Sequence, residues 1–346
     1  MNSGEIKRDF TLDYLRAFLI ILVVFGHSLQ YGLGVEYRSF CDNIVVKAIY
    51  SFHMPLFMMI SGYLFGFTVK RHSFKEILIN KTKSLLIPVA VWSIPITFID
   101  IIKYDSQRMN PWDFFKTYLS EFLGAFWFLW AVFLCSVTVL LVNKFLKDHW
   151  LVYAAVFLAT FFIPVFIAND ELYRFMYPFY IIGCFFGKKE ILSGITNRLK
   201  NFIGLVSLIV FITLLLFYNY DSYIYNSGHS LIGKENWLHQ LFIDFYRIII
   251  GLSGSVFFWG FFNTLSIYIK GKASIWLSYL GANTIGVYII SFFISVYALP
   301  ELIKENQGLN YLLALLETLA TITVCLVLII AIKRVKVLNR LLLGGR

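Results

Sequence analysis

The chain has 346 residues, of which 59% are hydrophobic and only 14% are charged, with 36 phenylalanines and 21 tyrosines. Soluble domains carry about 25% charged residues, and their cores stop growing at about 300 residues. The composition therefore excludes a soluble enzyme, a disordered protein and a secreted disulfide scaffold. The 30 Lys and Arg against 20 Asp and Glu give a formal net charge of +10, which indicates basic cytoplasmic loops rather than nucleic-acid binding in so apolar a chain.

Ten apolar runs are candidates for membrane-spanning helices, since a span needs about 20 mostly apolar residues. In chain order they cover residues 12–34, 44–69, 84–102, 122–142, 150–168, 173–187, 202–219, 243–267, 274–299 and 311–332. The first run is too long for a cleavable signal, and no small-residue cleavage site follows it. The sequence therefore predicts an all-α polytopic membrane protein of about ten spans, with one transmembrane domain over 1–346 and no appended soluble domain.

The basic residues predict the orientation of these spans. If both termini are cytoplasmic, the tails and inner loops carry twenty Lys and Arg residues and the outer loops carry seven. Cytoplasmic loops are the ones that carry an excess of Lys and Arg. The count therefore favours an even number of spans with both termini in the cytoplasm.

The first span carries ionisable side chains at a depth where each costs a few kcal/mol, which makes them candidates for function. Ten residues separate Arg16 from His27, which places both on one stripe of the helix, about 16 Å apart. Asp13 precedes Arg16 by three residues, the spacing of an ion pair on a helix. The alternative is an interfacial ion pair and a histidine that a neighbouring helix satisfies.

The second span carries another histidine beside a proline. Counted from the outer ends of their helices, His53 lies about 14 Å deep and His27 about 8 Å deep, so neighbouring helices can bring the two rings together. Pro55 removes a backbone hydrogen bond and can kink the helix, which suits a cavity better than lipid. Because histidine can take a proton from an alcohol and return it near neutral pH, we predict His27 and His53 as the catalytic residues.

Other catalytic signatures are missing from the sequence. It contains no Walker loop and no HExxH motif. The cysteines stand singly, so neither a disulfide framework nor a metal site is predicted. Polar residues that could support the site are Ser28, Ser61, Tyr63 and Arg247, for each of which helix packing or anchoring is the alternative role.

The residues in these spans resemble acyltransferase family 3, bacterial membrane proteins that O-acylate surface carbohydrates. The family's pattern of a basic residue and a histidine with ten residues between them is met by Arg16 and His27. Further matches are Phe52-His53-Met54-Pro55-Leu56-Phe57, Ser61-Gly62-Tyr63, the basic stretch Lys81 and Lys83 before Pro88, and Trp127-Phe128-Leu129. One departure is Tyr288-Ile289-Ile290-Ser291, where the family often ends on histidine.

The resemblance implies transfer of an acyl group, most often acetyl, from cytoplasmic acetyl-CoA to a sugar hydroxyl outside the bacterial inner membrane. One histidine would act as general base, and the other would orient the acceptor or hold the acyl group. The CoA phosphates would bind a cationic mouth formed by Arg16, Arg71, Lys81 and Lys83, although topology signalling is the alternative role for the loop residues. Supporting roles would fall to Asp13, Ser61, Tyr63, Trp127, Tyr288 and Ser291, and no metal is expected.

As an enzyme, the protein would have acyl-CoA, a glycan or lipid-linked sugar acceptor and the lipid bilayer as partners, and no nucleic acid. Two functions of other classes stay open. An exporter or flippase of a polysaccharide or its lipid-linked precursor would line a substrate path with buried His and Arg. A structural partner in polysaccharide synthesis would tolerate the loss of both histidines.

Overall fold

The structure, a computed structural model, describes residues 10–32, 35–104, 110–166, 169–189, 194, 196–298 and 310–345. In the first half the helices are α1 (Phe10–His27), α2 (Tyr37–Asp42), α3 (Ile44–Arg71), α4 (Phe74–Lys81), α5 (Ile87–Tyr104), α6 (Pro111–Gly124), α7 (Trp127–Phe145) and α8 (Trp150–Thr160). In the second half they are α9 (Asp170–Lys189), α10 (Asn197–Leu215), α11 (Ile224–Ser227), α12 (Trp237–Leu265), α13 (Gly271–Ala282), α14 (Thr284–Phe293), α15 (Tyr311–Lys333) and α16 (Lys336–Leu343). No strand occurs within these ranges, which confirms the predicted all-α class.

Among the described residues, seven helices are long and apolar enough to cross a bilayer, and the bent pair α13 and α14, with an angle of 71°, would make an eighth. Eight of the ten predicted runs overlap these seven helices and the bent pair. The other two overlap α8, which has only 11 residues, and α9, which is charged at both ends. A length of 11 residues is about 16 Å, short of the roughly 30 Å hydrocarbon layer. Ten spans and cytoplasmic termini therefore stay predictions.

Helices α3 and α9 form the most extensive helix contact among the described residues, and glycines make it possible. Gly62 and Gly66 on α3 face the backbone of α9, while Gly183 and Gly187 on α9 face the backbone of α3. At all four positions an added Cβ would overlap backbone atoms of the other helix. Both helices thus carry the small-xxx-small spacing with which membrane helices approach closely. The contact fixes the helix that carries His53.

Helix α1 lies at the centre of a second group of helices, against α3, α13, α14 and α15. Its crossing with α13 also depends on a glycine, because a Cβ at Gly281 would overlap the backbone carbonyl of Asp13. By contrast, α10 is largely exposed on the side away from α12. The two helices that carry the predicted histidines are therefore internal.

Three wider turns of π type adjoin the helices, at Ser28–Gly32, Thr82–Leu86 and Ile294–Ala298. The first directly follows His27, the second joins α4 to α5, and the third extends α14. Turns of this type are frequent at functional sites. The first two contribute residues to the cavities described below.

Buried charged groups tie the outer segment, residues 219–236 between α10 and α12, to the bundle. Glu171, at the start of α9, accepts hydrogen bonds from the backbone N–H groups of His229 and the next residue, at 2.6 and 2.7 Å. The fully buried His229 places Nδ1 3.4 Å from Asp244 Oδ1. Arg247 contacts the same carboxylate at 2.9 Å and donates to a carbonyl of the segment at 2.6 Å. Because breaking one buried partner leaves a charge uncompensated, this network holds the segment in place.

Candidate functional site

Helices α1 and α3 place His27 and His53 on the wall of one cavity of about 360 Å³. We call it the outer cavity, because it lies at the predicted outer end of α1. Its described lining residues are Val23, His27, Gln30, Tyr31, Tyr37, Phe40, Tyr50, His53, Met54, Ser120, Glu121, Gly124, Ala125, Trp127, Asn169, Tyr223, Tyr225, Tyr288 and Phe292. The volume falls in the range of about 300–1,000 Å³ typical of small-molecule sites.

A backbone carbonyl orients the ring of His53. Nδ1 lies 2.7 Å from the carbonyl oxygen of Ile49, four residues earlier on α3. A carbonyl only accepts hydrogen bonds, so we assign the proton to Nδ1 and leave Nε2 as the bare nitrogen. The ring also makes an edge contact with Tyr50, with 5.1 Å between the centroids. His53 is therefore held in the tautomer that a general base requires at Nε2.

Aromatic contacts hold the ring of His27. Its centroid lies 5.9 Å from that of Tyr31 and 6.1 Å from that of Phe292, both edge-on. Nδ1 is buried without a hydrogen-bond partner among the described residues. Since orphaned buried N–H groups are rarer than under-satisfied acceptors, we assign Nδ1 as the bare nitrogen and Nε2 as an N–H donor. The two histidines thus differ in the hydrogen-bonding role they offer to a ligand.

A second cavity, the inner cavity of about 330 Å³, lies toward the predicted cytoplasmic end of α1. Arg16 and Lys81 supply its cations. Arg16 forms an ion pair with the buried Asp13 and donates through Nε to the Leu12 carbonyl at 3.3 Å, and Lys81 Nζ lies 5.0 Å from the centroid of Phe65. The other lining residues are Ile20, Val23, Met54, Phe57, Ile60, Ser61, Leu64, Phe65, Thr68, His72, Ile77, Asn80, Ser84, Leu85, Phe128, Leu129, Val132, Thr284, Ile285 and Tyr288.

The inner and outer cavities share three lining residues, Val23, Met54 and Tyr288. Met54 directly follows His53, and Val23 lies about one turn before His27 on α1. We call these three residues the junction. The two cavities therefore adjoin at these three residues, and His27 and His53 line the outer cavity close by.

Other predicted site residues fall partly in these cavities. Ser61 lines the inner cavity and Trp127 lines the outer one. Arg71 and Lys83 are exposed and are not among the residues that line the inner cavity. Their contact with the CoA phosphates stays a prediction.

Three predicted supporting residues have contacts elsewhere in the bundle. Tyr63 packs edge-on against Trp259, with 5.2 Å between the ring centroids. The hydroxyl of Ser291 is fully buried and donates to the Tyr288 carbonyl at 3.3 Å, and Ser28 accepts from Thr318 at 3.4 Å. These contacts support the helices around the site.

Several residues that line the outer cavity were not predicted from the sequence. Glu121 comes from the end of α6, and Tyr223 and Tyr225 come from the outer segment. Tyr223 donates to the Cys41 carbonyl at 2.9 Å, and burial raises its pKa above the usual range, so its hydroxyl stays neutral. The only signal for these residues was the general excess of aromatic side chains, which does not distinguish a site from an interface belt.

Metal-ligating side chains do not cluster in the part of the chain that the structure describes. No group of three His, Cys, Asp or Glu residues there could hold an ion. The four cysteines, Cys41, Cys135, Cys184 and Cys325, are buried and free.

Comparison with known proteins agrees with the family resemblance found in the sequence. A family model described as an acyltransferase domain, Acyl_transf_3, matches residues 9–334. The nodulation protein NolL of Mesorhizobium japonicum is 28% identical over 334 residues, which cover 95% of this chain and 87% of that protein. NolL of Sinorhizobium fredii is 34% identical over 191 residues, or 54% of this chain and 51% of that protein. No solved structure matches the chain significantly.

Proposed function

Because the chain belongs to acyltransferase family 3 and is an O-acyltransferase, we propose that it transfers an acetyl group from cytoplasmic acetyl-CoA to a sugar hydroxyl of an exported polysaccharide or its lipid-linked precursor. The observation that carries this proposal is the approach of two cavities at the junction, beside His27 and His53. The thioester enters from the inner cavity and the acceptor from the outer one. The protein then works across a bacterial inner membrane, with both termini in the cytoplasm.

The inner cavity has the chemistry of a CoA site. Arg16 and Lys81 offer charged donors of the kind that bind phosphate, and apolar side chains line most of the remaining wall. About 16 Å of helix separates Arg16 from His27, a distance that the pantetheine arm of CoA can bridge. Arg71 and Lys83, each adjacent in sequence to a lining residue, contact the adenosine phosphates beyond the mouth.

Replacing Arg16 with alanine is expected to raise the KM for acetyl-CoA about tenfold or more, with a smaller change in kcat. The reason is that a hydrogen bond to a charged group contributes about 1.5–3 kcal/mol, and about 1.4 kcal/mol is a factor of ten. Initial rates at varied acetyl-CoA, with the protein in nanodiscs, measure both constants. The matched control is Arg38→Ala, an exposed residue paired with Asp42 at the other end of the bundle. An unchanged KM in Arg16→Ala would exclude the phosphate role.

The proposed chemistry begins with a proton transfer. Nε2 of His53 accepts the proton of the acceptor hydroxyl as its oxygen attacks the thioester carbonyl carbon. Collapse of the tetrahedral intermediate breaks the carbon–sulfur bond and forms the ester. The imidazolium then returns its proton to the CoA thiolate, so His53 ends the cycle in its starting form.

A hydrogen-bond donor at the junction stabilises the oxyanion of that intermediate. His27 offers Nε2–H in the tautomer assigned above, and the phenol of Tyr288 lines both cavities. Donors placed where negative charge develops are among the largest contributions to acyl-transfer catalysis. His53 as base and His27 as donor therefore divide the reaction between the two rings.

Transfer of label tests the proposed function directly. The purified protein is mixed with acetyl-labelled CoA and with glycan-bearing membranes from cells that lack the protein. Label in the glycan, dependent on the protein, is the expected result. An exporter, a flippase or an assembly partner would leave the glycan unlabelled.

A further inference from the structure

The outer cavity carries one carboxylate and no lysine or arginine among its described lining residues. The carboxylate belongs to Glu121, on the last turn of α6. The two histidines and several tyrosines line the same cavity. Among the described lining residues, an acceptor therefore meets neutral donors and acceptors and a single group that can be an anion.

Arg247 lies near this cavity but is not among its described lining residues. It lines a small neighbouring void together with His53. Its guanidinium is engaged by the Asp244 carboxylate at 2.9 Å and by the Gly228 and Asp221 carbonyls at 2.6 and 3.1 Å. Its positive charge is paired with the Asp244 carboxylate, and its Nε is buried without a hydrogen-bond partner among the described residues.

Side chains from neighbouring elements fix the end of α6 that carries Glu121. Trp130 Nε1 donates to the Phe122 carbonyl at 2.7 Å. Asn169 Nδ2 donates to the Gly124 carbonyl at 3.1 Å. The carbonyls on both sides of the last turn are therefore held, and Glu121 belongs to a rigid wall, which is where specificity residues act best.

The position is a costly one for a carboxylate. Burial, with a further contribution from the negative charge of Asp100 on α5, raises the pKa of Glu121 to about 7. A glutamine would fill nearly the same volume without the cost of burying a charge or of repulsion from Asp100. Groups whose ionisation is disfavoured in a cleft are candidates for function, and the geometry of the cavity indicates which function.

Building on the proposed function, we propose that Glu121 is the specificity-determining residue of the acceptor site, where its carboxylate accepts hydrogen bonds from hydroxyl groups of a neutral sugar ring. An ionised carboxylate offers only acceptors, on two oxygens, which suits adjacent hydroxyls that both donate. The same charge repels a sugar that carries a carboxylate or phosphate, a form of discrimination that works against the wrong ligand. The acceptor ring at this site is therefore a neutral sugar rather than a uronic acid or sugar phosphate.

Binding of two matched glycosides tests this inference. The full-length protein in nanodiscs is titrated at pH 8, where Glu121 is largely ionised, with methyl glucopyranoside and with methyl glucopyranosiduronate. Indole fluorescence reports binding, since Trp127 lines the same cavity. We expect the wild-type protein to bind the neutral glycoside at least about tenfold more tightly than the uronate.

Two substitutions and a control make the test specific. Glu121→Gln is expected to reduce the preference to about twofold or less, and Glu121→Lys to reverse it in favour of the uronate. The control pair is Glu235→Gln and Glu235→Lys, at an exposed position of the outer segment, which leave the preference unchanged. A gain of uronate binding cannot result from misfolding.

Several results would overturn the inference. These are equal affinities in the wild-type protein, no binding of either glycoside, or a preference that both Glu121 variants leave intact. Failure of the proposed function looks different, because no label from acetyl-CoA would then reach the glycan in the wild-type protein. If label is transferred while the glycoside preference is absent, only the role of Glu121 is wrong.

Discussion

Replacing His53 with alanine is expected to lower the rate of acyl transfer by about 10²–10⁴-fold, the contribution typical of a general base. The Ile49 carbonyl fixes the proton on Nδ1, so Nε2 is the acceptor that the substitution removes. The measurement is the initial rate of transfer from labelled acetyl-CoA at saturating donor. His27→Ala is expected to lose about 10²–10³-fold, the cost of removing one oxyanion donor.

Glutamine variants separate the two roles. A glutamine at position 27 retains an amide N–H that can donate, so His27→Gln is expected to keep more activity than His53→Gln, whose amide is not a base. His239→Ala, at an exposed histidine near the start of α12, is the control for general effects of losing an imidazole. Full activity in His53→Ala, with normal expression and a monodisperse elution profile, would contradict the assignment.

The second large effect is expected on folding. In Gly62→Leu the new side chain must occupy the position of the Tyr180 backbone carbonyl, and no rotamer of leucine avoids a clash that already begins at Cβ. Overpacking commonly costs about 1–3 kcal/mol, and more is expected here because two backbones must separate. The variant should lose the monodisperse peak in fluorescence-detected size exclusion.

Gly260→Leu is the matched control for this prediction. Gly260 also lies inside a long helix, α12, but nothing lies within 4 Å of an added Cβ there. It should elute like the wild-type protein. Equal behaviour of the two variants, either both stable or both aggregated, would contradict the close helix contact as the cause.

The helical class of the fold could be predicted from the sequence because the bilayer allows few alternatives. Runs of apolar residues must become helices that satisfy their own backbone groups, and each predicted run overlaps a helix in the described part of the chain. The length of an apolar run did not predict the length of α8, because the helix ends after 11 residues of the run 150–168. The predicted run 173–187 lies within α9, and the helix extends beyond it at both charged ends.

The residues of the candidate site that the sequence marked most clearly are ionisable side chains inside membrane-spanning helices. His27, His53 and Arg16 are costly in lipid, and each lines one of the two cavities. Glu121 and Tyr223 are residue types that are common at a helix end or in a segment outside the membrane. Only the folded arrangement of distant elements shows that they line the outer cavity. Arg71 and Lys83 were selected for their charge but do not line the inner cavity. The net charge of a loop does not determine which of its side chains face a cavity.

We propose that donor and acceptor reach the same histidines from opposite sides of the membrane. The most direct measurement is the sidedness of transfer in sealed vesicles given membrane-impermeant, acetyl-labelled CoA. Inside-out vesicles, which expose the cytoplasmic face, should transfer label to glycan enclosed in their lumen, whereas right-side-out vesicles should remain unlabelled until they are permeabilised. Labelling of intact right-side-out vesicles at the rate of inside-out ones would contradict the account.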